Sequence, residues 1–362
     1  MRIQLLSFLI AAGTAISATA SAQENVTIMT WGDYFDPAVF KAFEAETGIH
    51  VQEYPFDSSE TMMTKLLVGN SGSDVVVASE SLIPKFVKAG LLQKLDKGKM
   101  KELGNIDPDI AKLLKQVDPE NEYVVPYTWG TTGIGYNIDA VQKRLGDVKV
   151  DSWSLLFDPD IVSKLKDCGV YMLDSPQTVY PVALAYLGKN PNSKSAEDIA
   201  AVEEMLAKVR PAIGNFKSTG YPSDLAGGEA CVVMGWSGDI ARADAEVAKA
   251  GNGIKLDYVV PKEGSTIWVD TFVVPKDAPN PDAARKLIDF LTRAEVAAQN
   301  SNYLRYPNGN KASFALLDEA IRKDTRLYPP ADTYTRLFMV EMFTDDSLRN
   351  LTRSWTRVKA QQ

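Results

Sequence analysis

Three short stretches place an indole two or three residues before a carboxylate: Trp31 and Asp33 in "TWGDY", Trp236 and Asp239 in "GWSGD", and Trp268 and Asp270 in "IWVDT". The face of an aromatic ring carries negative quadrupole charge, and a cation over it within about 6 Å gains roughly 0.5 to 2 kcal/mol. A carboxylate adds the directional, charge-assisted hydrogen bonds that an ammonium group needs. Together these side chains suit an organic amine. Each pair alone also fits a core tryptophan beside a solvent-facing or capping aspartate, and Asp239, just before "IARADAEV", suits a helix N-cap. Three pairs, each close to a predicted strand end or lobe crossing, favour the amine site.

Covalent chemistry has little to work with. The single histidine, His50, falls inside a predicted strand and reads as structural, which leaves no Ser-His-Asp set. There is no "HExxH", no cysteine pair at zinc spacing and no phosphate loop, and "TTGIGYN" lacks the third glycine of a dinucleotide motif. Hydrolysis by paired carboxylates has no positive support. The expectation is a binding protein with no catalytic residue, no cofactor and no metal.

The elements that must position these residues alternate. "NVTIMTW" reads as a strand, followed by Asp36 as N-cap, Pro37 at the first helical position, and a helix with Val39, Phe40 and Phe43 on one face that stops at Gly48. "IHVQEYPF" and the continuously apolar "SDVVVAS" are further strands, each followed by a helix. Such alternation implies a parallel sheet covered by helices, with the ligand crevice at the carboxyl ends of its strands. Trp31, Asp33, Ser79 and Ser81 fall just past strand ends, on one rim. Further along, "EYVVPYTWGTTGIGYNID" is an extended segment able to cross between lobes, and "IWVDTFVVP" is a strand leading into one amphipathic helix, "DAARKLIDFLTRAEVAAQ".

Residues 1–22, "MRIQLLSFLIAAGTAISATASA", have one arginine, an apolar run and the small residues Ala20, Ser21 and Ala22, the pattern of a cleaved secretory signal peptide. Cleavage removes one of 39 basic residues and none of the 47 acidic ones, taking the net charge from −8 to −9. This balance argues against nucleic acid as a partner. No later stretch approaches membrane-spanning length, so the mature chain is expected to be soluble outside the cytoplasm, without membrane insertion. About 340 residues exceed what one core usually supports, which implies two domains. Cys168 and Cys231, the only cysteines, would most simply join in an oxidising compartment, the alternative being two buried thiols.

"WGDYFDP", "FEAETGIHV", "VPYTWGTTGIGYN", "DSWSLLFDP", "GWSGD", "YPPAD" and "RSWTRVK" carry a resemblance over essentially the whole mature chain to the periplasmic putrescine/spermidine-binding proteins of bacterial ABC importers. The resemblance implies an α/β, two-lobed type II periplasmic-binding-protein fold with a hinge, each lobe a mixed sheet flanked by helices. It places residues 23–128 and 270–302 in the N-terminal lobe and 129–269 and 303–362 in the C-terminal lobe, and joins Cys168 to Cys231. It further implies that Trp31 packs on the ligand's methylene chain, Asp33, Asp239 and Asp270 meet its amino groups, Ser79 adds a polar contact, and Trp236, Trp268 and Tyr306 line the site. Trp268 stands where putrescine-preferring members often have phenylalanine, which would favour a longer amine. Gly32 replaces a common hydroxyl residue, and Thr178 replaces a glutamate that contacts the amine in putrescine-binding relatives; Asp174 or Glu80 are candidates to compensate. The expected partners of this monomer are a small cationic amine and an inner-membrane ABC permease. The alternatives are a ligand sensor of the same fold and a periplasmic amine-acting hydrolase. A binder of neutral or acidic solutes would call for arginine at the matched pocket positions, where none occurs.

Overall fold

The computed structural model describes residues 24–360; the signal-peptide reading of residues 1–22 lies outside them. Ten strands among the described residues form one connected sheet: β1 (Asn25–Trp31), β2 (His50–Phe56), β3 (Val75–Ser79), β4 (Val125–Asn137), β5 (Val170–Met172), β6 (Asn215–Phe216), β7 (Val232–Trp236), β8 (Leu256–Val259), β9 (Ser265–Val273) and β10 (Leu337–Phe338). Their order is β2-β1-β3-β9-β4-β7-β5-β6, with β8 beside β4 and β10 beside β9. The predicted parallel alternation holds for β1 with β2 and β3. β9 enters antiparallel to β3, so the sheet is mixed.

β4 joins the two halves. Its first half, from Val125 to Thr131, pairs with β9, and its second half, from Thr132 to Asn137, pairs with β7 and β8. One core, including Val26, Phe43, Val75, Phe272 and Leu287, packs on one face of the first half-sheet, and another, including Met29, Met62, Phe86 and Val269, packs on the other. The second half-sheet carries its own core around Trp153, Phe157, Val170, Tyr180 and Val232, closed by Leu351, Trp355 and Val358 of the last helix, Asp345–Ala360. Trp236 packs against both lobes' cores.

The local rules are obeyed where they were strongest. Asp36 caps the helix Pro37–Thr47 by accepting from the Ala38 amide, and Gly48 ends it at φ 71°, a left-handed conformation that costs glycine little. The expected single helix over "DAARKLIDFLTRAEVAAQ" is instead two, Pro281–Leu291 and Ala294–Leu304. Thr292 turns its hydroxyl back on the Ile288 carbonyl at 2.7 Å while Asn310 takes the Thr292 carbonyl at 2.6 Å, and Arg293 goes extended at ψ 144°. The Ile288 carbonyl keeps its bond from the Thr292 N–H, while at the Thr292 carbonyl the Asn310 amide stands in for a continuing helical donor. His50 lies in β2, half exposed, with Nδ1 3.2 Å from Glu44. Cys168 and Cys231 form a disulfide with a Cα separation of 5.4 Å. It precedes two strands, β5 and β7, that pair directly.

Candidate binding site

Asp270 sits on β9 opposite Ser79, the last residue of β3. Its side chain is 4 % exposed, yet its partners are neutral: Ser79 Oγ donates to Oδ1 and Tyr34 Oη to Oδ2, both at 2.7 Å. Burial pushes the Asp270 carboxyl up, and hydrogen bonds from Ser79, Tyr34 and the Trp31 indole oppose the shift. Tyr34 is fixed in turn, because its hydroxyl lies 2.7 Å from Thr128 and its carbonyl accepts from Tyr127 at 2.7 Å. Burial, then the charge of Asp270, raises the Tyr34 phenol well above its ordinary value, so it stays a donor.

Asp239 belongs to the helix Ser237–Ala250 that follows β7. It lies in the first turn and the cap position is Trp236, which makes no side-chain cap bond; the capping interpretation of Asp239 is thus replaced by another use of the carboxylate. Tyr221 donates to Oδ2 at 2.8 Å and Tyr306 to Oδ1 at 2.9 Å. Arg242, one turn on, brings Nη2 to 3.5 Å from Oδ1. Burial raises the Asp239 carboxyl, against the charge of Arg242 and the two phenols.

These clusters form one wall. Trp268 and Asp270, two apart on β9, share a face of the strand. The Trp268 ring stands edge-on to Tyr306 with centroids 5.3 Å apart, and its indole N–H has no hydrogen-bond partner among the described residues. Gly130 of β4 makes room for that ring: a β-carbon there would lie 2.5 Å from it. Tyr221, besides holding Asp239, accepts from the Trp236 amide at 3.0 Å and presents its edge to the Trp236 ring at 6.3 Å. The arrangement offers one buried carboxylate, Asp270, one mostly buried, Asp239, three indoles and three phenols where the two half-sheets meet.

The sequence-derived set therefore divides. Trp31, Ser79 and Asp270 come together, as do Trp236, Asp239, Trp268 and Tyr306. Asp33 joins neither acid: it is exposed, left-handed at φ 55°, and its charge acts on Glu53, whose carboxyl is raised by burial and then by Asp33. Thr178, in the first turn of the helix Pro176–Tyr186, shares a 2.9 Å hydrogen bond with Ser175. Its neighbour Gln177 reaches Glu60 of the opposite lobe at 3.4 Å. Asp174 is already committed to Trp355 Nε1 at 2.7 Å and Lys359 at 2.8 Å. Glu80 is 2 % exposed and accepts from the Val269 amide at 3.0 Å. Burial takes its carboxyl up to about 8, the Val269 amide opposing and the Asp270 charge adding to the rise.

Tyr34, Tyr221 and Arg242 lie outside the sequence-derived set. Tyr34 follows the carboxylate in "TWGDY", which is its one sequence signal; Tyr221 and Arg242 have no motif to mark them.

The family of bacterial extracellular solute-binding proteins matches residues 38–329. A putrescine/agmatine-binding protein of Pseudomonas aeruginosa PAO1 is 44% identical over 352 residues, covering 96% of each chain. A putrescine-binding periplasmic protein of Escherichia coli K12 is 41% identical over 348 residues, covering 96% of this chain and 94% of that one. The solved spermidine/putrescine ABC transporter substrate-binding protein of Streptococcus pneumoniae superposes with a TM-score of 0.77 at 31% identity, covering 93% of this chain and 98% of that one. The chain belongs to the bacterial extracellular solute-binding proteins and has their two-lobed, type II periplasmic-binding-protein fold.

Proposed function

We propose that this protein is the periplasmic solute-binding component of an ABC importer, capturing a polyamine or related cationic amine between its lobes and presenting it to the permease as a monomer. The observation that carries this reading is Asp270, a buried carboxylate whose hydrogen-bond partners are all neutral, two residues from an indole on the same strand face. A buried ion with no opposite charge is costly, and a ligand ammonium group offsets that cost. Indoles and phenols from both half-sheets supply an apolar, electron-rich lining for an alkyl chain. Nothing in this role requires a bond to be broken, so the protein acts as a binder and not as an enzyme. The relatives' polyamine specificities support the same ligand class.

The lobes in this reading are residues 23–128 with 270–302, and 129–269 with 303–362. The cores that gather Val26 to Tyr127 with Phe272 to Leu291, and Ile134 to Val260 with Leu351 to Val358, support the body of this division, while at its edges Leu304 and Tyr306 pack in the first core and Trp129, Ile267, Val269 and Met339 pack with Met29 and Phe86 of the N-terminal lobe. Asp33 and Thr178 belong at the mouth, reaching the ligand on lobe closure.

The test is a thermal-shift screen of refolded, ligand-stripped protein against diamines, polyamines, agmatine and amino acids, since a ligand that binds only the folded state raises its melting point. Amines should raise it, and Asp239→Asn and Trp236→Ala should lose most of the response while keeping the fold. A response confined to amino acids, or intact amine binding in both variants, would refute the reading.

A further inference from the structure

The two carboxylates of the site, Asp270 buried and Asp239 mostly so, differ in their partners. Asp270 is held by the hydroxyls of Ser79 and Tyr34, with no cation. Asp239 has both phenols and, in addition, the Arg242 guanidinium at 3.5 Å. Arg242 is partly withdrawn from water, with 43% of its side chain exposed, while the Asp239 side chain keeps 13%. Its charge is felt by Tyr221 and Tyr306 as well as by Asp239, so it belongs to the same wall.

We propose, building on the amine-binding reading, that Arg242 is the resident counter-ion of Asp239 and fits the site to a ligand with one ammonium group and a neutral amide at its other end, as in a mono-acylated diamine. The carboxylates of Asp270 and Asp239 with the one guanidinium leave a single negative charge, and it resides at Asp270. The ligand ammonium goes there. At the other end Asp239 and Arg242 form an acceptor beside a donor. An amide matches that pair: its N–H donates to a free lone pair of Asp239 and its carbonyl accepts from Arg242. A second ammonium at this end would meet Arg242 as a like charge in a partly desolvated place, where repulsion is poorly screened. Thr178, bonded to Ser175, adds no charge to offset it.

Titration calorimetry with N-acetylputrescine and putrescine, on the full mature protein and its Arg242→Gln and Arg242→Lys variants, tests the assignment. The wild type should bind N-acetylputrescine roughly tenfold or more tighter than putrescine, Arg242→Gln should shift that ratio toward putrescine by at least about tenfold, and Arg242→Lys should keep the wild-type order. A wild-type preference for putrescine, or a ratio that Arg242→Gln leaves within about twofold, overturns the role of Arg242 while amine binding stands. Failure of the wild type to bind either amine overturns both this inference and the reading beneath it. Circular dichroism of each variant verifies its fold.

Discussion

The ring of Tyr306 rests on the bare α-carbon of Gly238, where a β-carbon would stand 2.5 Å from the ring. That approach lets the Tyr306 phenol reach Asp239, the next residue along the helix, at 2.9 Å. The glycine is thus part of how the carboxylate is aimed, although it touches nothing polar itself.

Gly238→Ala should reverse the usual effect of this substitution. In a helix, alanine is worth up to about 1 kcal/mol over glycine. Here the added methyl would overpack against Tyr306, a change that typically costs about 1 to 3 kcal/mol. Displacing the ring also takes a donor from Asp239, so amine affinity should fall about tenfold or more, as a hydrogen bond to a charged group is worth about 1.5 to 3 kcal/mol. Calorimetry and thermal melts measure both effects. Wild-type affinity in the variant would remove Tyr306 from the site.

Asp270→Asn should trade binding for stability. The substitution keeps shape and hydrogen bonding to Ser79 and Tyr34, whose hydroxyls can reverse their roles, and it removes a buried charge that no cation balances. The ligand-free protein should gain about 1 kcal/mol in unfolding free energy, while loss of the ammonium's partner costs about 2 to 5 kcal/mol of binding. Urea melts and calorimetry on the same samples decide it. A destabilised variant that still binds amines would contradict the description of Asp270 as an unbalanced charge.

What could be read from sequence was what depends on near neighbours. The cap at Asp36, the stop at Gly48, the buried run of β3 and the strand-end positions of Trp31 and Ser79 follow from residues a few places apart. The pairing of indole with carboxylate was legible as a composition of the wall but not in its partners. Trp31 serves Asp270 and not its neighbour Asp33, because β3 and β9 lie side by side although 191 residues separate Ser79 from Asp270. Tyr221, the first residue of the helix Tyr221–Gly227, finds Asp239 only because that helix packs on the one that follows β7. The break at Thr292 depends on Asn310, 18 residues away, and so escapes any periodicity.

Removing the disulfide should weaken the second lobe without abolishing binding. The bridge spans 63 residues and links the starts of β5 and β7, whereas Trp236 is the last residue of β7 and Asp239 lies beyond it. In the chain-entropy model a loop of that length contributes about 4 kcal/mol. Cys168→Ala/Cys231→Ala should lose stability of that order in urea melts and still bind amines at room temperature. Unchanged stability would mean that the bridge constrains the unfolded chain far less than its loop length implies.

Glu80 makes stability fall as the pH rises. In the folded protein its carboxyl titrates at about 8 against an ordinary 4.5, so between those values the folded state holds a proton that the unfolded state has released. The stabilisation is complete below the unfolded value and is lost as the pH climbs through the folded one. From pH 6 to 8 the loss should be about 2 kcal/mol, at roughly 1.4 kcal/mol for each unit inside the window. Burial raises Asp239 and Asp270 as well, which gives them the same sign, so the wild-type slope alone does not isolate Glu80. Its comparison with Glu80→Gln does, because glutamine keeps the oxygen that accepts from the Val269 amide and does not titrate. Denaturant melts of both proteins at pH 6 and 8 should show the variant gaining on the wild type by that amount. Parallel pH dependence would mean that Glu80 is already ionised at pH 6, and that the charge beside β9 has a partner in solution.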